Sequence, residues 1–105
     1  ANAWLTPEIR EKIFDMFRLV SEALENMNKN LAKNYTPGIL IKATEIELKI
    51  NNARDSFISF NNKNIEMGDY TYQKGAFFTD IVNHCEKIGD HIINVNQAIA
   101  TNIKS

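Results

Sequence analysis

The stretch HCEKIGDH, His84 to His91, sets Glu86 and Asp90 four residues apart. On a helix this spacing puts both carboxylates on one side, about 6 Å apart, at a repulsive cost of roughly 0.2–0.5 kcal/mol. Such a pair can hold or bridge a hard cation such as magnesium, manganese or iron. Glu45 and Glu47 supply further acids in mid-chain, with Asn51 one turn beyond Glu47 and Arg54 after that. Glu86, Asp90 and Glu47 are therefore the candidate metal ligands. The plainer alternative is a solvated polar face, because Glu-x-x-x-Asp is common in helices.

Other chemistries find less support. Ferritin-like di-iron bundles use Glu-x-x-His, and the residue three after Glu86 is Gly89. His84 and His91 stand two turns apart, about 10 Å, too far to share one ion and better suited to flanking the core. Cys85 falls within an apolar stripe and reads as a small buried residue. No Gly-rich phosphate loop, CxxC, HExxH or GxSxG occurs. Trp4, Tyr35, Tyr70 and Tyr72 sit near helix ends and read as packing residues.

The elements that position these side chains follow from periodicity. Thr6-Pro7 and Thr36-Pro37 are helix starts, the hydroxyl capping and the proline fitting the first helical position. Glu8 and Glu11 suit the positive end of the first dipole. Apolar residues then recur at Ile9, Ile13, Phe17, Val20, Leu24, Met27 and Leu31, one helical stripe that ends at the turn KNYTPG, residues 33–38. The second stripe is Ala43, Ile46, Ile50, Ala53, Phe57 and Phe60, stopping near Met67-Gly68. The third, capped by Thr71, runs Phe77, Ile81, Cys85, Ile88, Ile92, Val95 and Ile99. On that register Glu86 and Asp90 lie opposite the core, with Thr79, Asn83, Asn94 and Gln97. Three helices of about 28 residues, each about 40 Å long and joined by short turns, must pack as an all-α, antiparallel up-down-up three-helix bundle. Its expected core contains Ile13, Phe17, Val20, Ile46, Ile50, Phe57, Ile81, Ile88, Ile92 and Val95, so Ile88→Ala is expected to cost about 2–5 kcal/mol.

Composition agrees with one domain. The chain has 105 residues, 44% apolar and 24% charged, and a net charge of −1, which leaves no electrostatic footprint for nucleic acid. A single cysteine precludes an internal disulfide. No apolar run approaches the roughly 18 residues of a membrane helix. The opening ANAWLTPE lacks an initiator methionine, which reads as a domain (residues 6–105) belonging to something longer, with residues 1–5 as its start or linker.

The last third of the chain, Gly68 to Ala100, GDYTYQKGAFFTDIVNHCEKIGDHIINVNQAIA, resembles the last helix of PhoU-like domains, and in particular the C-terminal cytoplasmic domain of bacterial Na⁺/phosphate cotransporters. The likeness rests on the glycine turn at Gly68, the capped start with Thr71 and Gly75, and a core of Glu86, Lys87, Ile88, Gly89, Asp90 and His91 followed by Asn94 or Asn96. In the second helix Glu47 and Arg54 stand where the resemblance places an acid and an arginine. Asn51 replaces the second acid of many relatives, and Asn61 an expected histidine.

The resemblance implies a non-catalytic regulatory domain on the cytoplasmic side of the inner membrane, modulating sodium-dependent phosphate uptake. It also implies a divalent metal ion (iron, manganese or magnesium) on Glu86 and Asp90. The partner is then the transporter's own membrane domain or another membrane transport protein. The alternatives are a free-standing PhoU-type regulator of phosphate ABC transport and signalling, a small carboxylate-metal enzyme, or a plain helical interaction module. Phe14, Leu19, Ile41, Ile58 and Ile93 fall off the three stripes, more than one bundle can bury, and a two-fold homodimer is expected to cover them.

Overall fold

The computed structural model describes residues 6–32, 38–68 and 71–104. Three helices account for nearly all of them: α1 (Pro7–Ala32), α2 (Ile39–Glu66) and α3 (Tyr72–Lys104). The Thr6 hydroxyl accepts the Ile9 N–H at 3.4 Å and the Thr71 hydroxyl accepts the Lys74 N–H at 3.1 Å. Each meets an orphan donor of a first turn. Gly68 ends α2 at φ 80°, a left-handed conformation that glycine adopts without penalty. The expected cap at Thr36-Pro37, the linker at 1–5, and Trp4, Tyr35 and Tyr70 lie outside the described residues. Tyr72 is exposed and no part of the core.

Contacts between the helices fix their directions. Lys12, early in α1, sits over the ring of Phe60, late in α2, while Glu22 reaches Lys42 and Lys49 near the start of α2. Asn61, late in α2, bonds Gly75 and Thr79 early in α3, and Arg54 pairs with Glu86 further along. Asn30 and Asn96, near the C-terminal ends of α1 and α3, bond each other at 2.7 Å. Consecutive helices are thus antiparallel and α1 runs alongside α3. The result is the expected up-down-up bundle, 55 Å long and only 23 by 16 Å across.

The second stripe is buried as the periodicity predicts, with Ala43, Ile46, Ile50 and Phe57 in the core and Ala53 and Phe60 packed against it. The outer two helices are turned from their predicted registers. In α1 the core takes Ile9, Ile13, Met16, Val20 and Ala23, and leaves Phe17, Leu24 and Leu31 exposed. In α3 it takes Phe78, Val82, Cys85 and Ile92, with Ile81 packed at its edge and Ile88 and Val95 exposed. Both readings share Cys85 and Ile92, but the buried Phe78, Val82, Gly89, Asn96 and Ala100 each follow a predicted position by one, so α3 is turned by most of a residue step.

Two features turn α3 this way. Gly75 and Gly89 face α2, where a Cβ on Gly89 would stand 3.2 Å from Cδ1 of Ile50 and one on Gly75 would collide with Ile65. These glycines let the two backbones approach, at some cost in helix propensity. Asn96 is also fully buried, accepting from Asn30 and donating to the Ile92 carbonyl at 3.2 Å. Ile88 is 43% exposed. Ile88→Ala is therefore expected to cost less than about 1 kcal/mol, not the 2–5 kcal/mol of a core position. Urea denaturation of the two proteins measures the difference.

Candidate functional site

The rotation of α3 moves the acid pair. Glu86 and Asp90 are half-buried at the seam between α2 and α3, not on a solvated face opposite the core. Thr79 is drawn to the same seam, while Asn83, Asn94 and Gln97 stay exposed. On α2 the seam is lined by Glu47, Arg54 and Asn61, spaced by seven residues, so that each returns to the same side of a helix packed at a shallow angle. On α3 Thr79 and Glu86 repeat at the same interval. The Asn61 amide donates to the Gly75 carbonyl at 3.0 Å and to Oγ1 of Thr79 at 3.1 Å. One heptad along, Nη1 of Arg54 meets Oε1 of Glu86 at 3.1 Å.

Arg54 is fully engaged. Its Nε and Nη2 both reach Oδ1 of Asp55, at 3.1 and 3.0 Å, so the guanidinium spans from an exposed carboxylate to the inner one. The Arg54 and Glu86 side chains are only 28% and 20% exposed, which sets this ion pair apart from the surface pairs elsewhere on the bundle. Desolvation pushes the Glu86 carboxyl above its usual range, and a hydrogen bond to Asp90 and that residue's charge push it further. Arg54 pulls the other way, and Glu47 adds a smaller upward contribution. The repulsion within the like-charged pair is offset by Arg54, which sits on Glu86.

Among the described residues no three His, Cys, Asp or Glu side chains are gathered in a way that could hold a metal ion. Glu47, Glu86 and Asp90 are brought to one seam, and the cation seated on Glu86 is the guanidinium of Arg54. His84 and His91 are exposed and do not flank the core. Cys85 is buried, and burial raises its thiol pKa, which works against the thiolate form a nucleophile needs. One shallow groove, lined by Asn61, Ile65, Tyr72, Gly75, Thr79 and Asp80, opens over one end of the seam. Inside it the Oδ1 atom of Asn61 is buried with no hydrogen-bond partner.

The sequence places Thr79 on one face with Glu86 and Asp90, and Asn61 on the helix of Glu47 and Arg54, but the bond between Asn61 and Thr79 that joins the two sets appears only in the packed bundle. The seven-residue recurrence of polar side chains, Glu47-Arg54-Asn61 against Thr79-Glu86, was the available signal. Among the described residues no helix is long and apolar enough to cross a membrane. The chain matches no family model, no curated protein and no solved structure.

Proposed function

We propose that this bundle is a regulatory, non-catalytic domain of a sodium-dependent phosphate transporter, acting by contact with a membrane transport protein on the cytoplasmic side. One observation supports the reading. The acid and arginine of α2 and the acid pair of α3, residues on which the resemblance to PhoU-like domains rests, converge on a single half-buried seam. A seam that holds an acid pair and a half-buried ion pair between two helices is sensitive to charge, and a change there alters how α2 and α3 sit together. Phosphate uptake in cells tests this, comparing wild type with a Glu86→Gln, Asp90→Asn double variant at equal expression and with its helicity verified. Altered uptake is expected, and identical uptake over a range of phosphate concentrations overturns the reading.

The place of a divalent metal follows from Arg54. Iron, manganese or magnesium on Glu86, Asp90 and Glu47 has to displace the guanidinium before it gains the acid pair. Manganese is accordingly expected to raise the melting temperature of Arg54→Ala by several degrees at about ten times its dissociation constant, and that of the wild type less. Differential scanning fluorimetry with and without manganese reads the difference. A null result in both proteins favours the plain helical interaction module, in which Arg54 serves only as the internal partner of Glu86.

A further inference from the structure

The registers of α1 and α3 leave apolar side chains outside along one side of the molecule, apart from Ile41 and Leu48 on the outer face of α2. In α1, Phe17, Leu24 and Leu31 repeat at seven-residue intervals, with Phe14 one position further round, and all four are 40–58% exposed. They lie on the flank of α1 away from Lys12 and Glu22, the residues that touch α2. In α3, Ile88 and Val95 also stand seven apart, with Phe77 beside them, and all three are 38–43% exposed. They lie on the flank of α3 away from Thr79 and Glu86, which meet α2. In a three-helix bundle the flank turned from one neighbour borders the other. The two stripes therefore line the outer edge of the α1/α3 seam along most of its length.

We propose that this face is the docking surface for a second copy of the chain, in a two-fold antiparallel arrangement centred near Ile88. Area and self-complementarity favour that occupant. With side chains of roughly 150–250 Å² and these exposures, the stripes present about 500–700 Å² of apolar surface. A standard interface takes about 800 Å² from each partner, and homodimer interfaces are about 65% apolar, so the supply matches the need. The face is also polarised. Because α1 and α3 run the same way, Phe14, Phe17 and Phe77 fall in its N-terminal half, and Leu24, Leu31 and Val95 in its C-terminal half. Ile88 is the middle residue of α3. A two-fold axis there sets each aromatic half on the smaller aliphatic half of the copy, as an isologous interface requires. Of the five residues that suggested a dimer in the sequence, Phe14 belongs to this face. Ile93 is buried in the bundle, Leu19 packs against its core, Ile58 is half-buried, and Ile41 is exposed. The inference rests on the exposed face and not on the transporter reading, so uptake measurements do not bear on it.

Sedimentation equilibrium of the chain is the test. The wild type is expected to be a dimer at tens of micromolar, and Ile88→Glu to weaken association roughly 100-fold or more, the effect of burying an unpaired charge. At concentrations low enough for all the proteins to be monomeric, its helicity and denaturation should match those of Ile88→Ala, because the position is outside the core. Ile88→Cys should form a disulfide with its own mate across the axis, with Cys85 too buried to compete. A wild type that is monomeric at several hundred micromolar overturns the proposal. So does a dimer indifferent to Ile88→Glu but dissociated by Ile41→Glu on the outer face of α2.

Discussion

Phe78→Ala is expected to lower the unfolding free energy by about 3–5 kcal/mol, the loss typical of a fully buried phenylalanine. Phe78 has no exposed surface, packs on Phe57 with ring centroids 6.4 Å apart, and meets Phe77 edge-on at 5.4 Å. A domain of this size has about 5–15 kcal/mol of stability, so the variant loses roughly a fifth or more of it. At roughly 4–8 °C per kcal/mol the melting temperature should fall by well over 10 °C. Phe77→Ala is the matched control, since that ring is 38% exposed and should cost markedly less. The pair of variants reports the rotation of α3 directly. If Phe77→Ala proves the more damaging, α3 is turned to the register that its hydrophobic periodicity first suggests.

Arg54→Ala should be the second most damaging change, and its effect should depend on pH. Removing one partner of a fully buried ion pair costs about 3–5 kcal/mol; at the partial exposure seen here about 2 kcal/mol is expected at neutral pH. The sign with pH follows from Glu86. Its folded-state pKa lies above the unfolded value, so its protonation favours the folded state. That contribution is complete below the unfolded pKa and is lost as pH rises through the folded one. Arg54 is the one influence that lowers the Glu86 pKa. Without it the folded pKa climbs further, and the unfavourable window widens toward neutrality. The gap between wild type and Arg54→Ala should therefore be widest near pH 7 and close as the solution is made acidic. Urea midpoints from pH 4 to 8 would show it. A gap that stays constant over that range would mean that the Glu86 carboxyl does not depend on Arg54.

The helices were legible because each carries its own punctuation. Thr6-Pro7, Thr71 and the left-handed Gly68 mark boundaries that the chain obeys. The stripe of α2 was legible too, because its apolar residues offer only one continuous face. In α3 they offer two: Phe77 stands beside Phe78, Ile81 beside Val82, and Ile92 beside Ile93. Apolar periodicity cannot choose between adjacent faces. The choice is made by residues that a hydrophobicity reading discards, namely Gly75 and Gly89, which admit α2, and Asn96, which bonds Asn30 inside the core. The same blind spot put Glu86 and Asp90 on the wrong side of the helix. The acids were found from their spacing, but their surroundings depended on a rotation that only packing sets.

The polar residues of the α2/α3 seam also decide where along its length α3 can stop. A bare stripe of isoleucine and phenylalanine is nearly indifferent to sliding by seven residues, because one heptad looks much like the next. Here a slide of that length carries Arg54 to Ile93 or to Thr79 and strands Glu86 without a cation, while Ile50 and Ile65 lose the notches cut by glycine. Each misplaced setting leaves a half-buried charge uncompensated, a penalty of several kcal/mol. The seam acts as a keyed shaft that seats at one depth. A chimera that kept every apolar residue of α3 but carried alanine at 54 and 86 should stay helical and compact yet lose that single seating, and its amide resonances should broaden as the two helices exchange between depths.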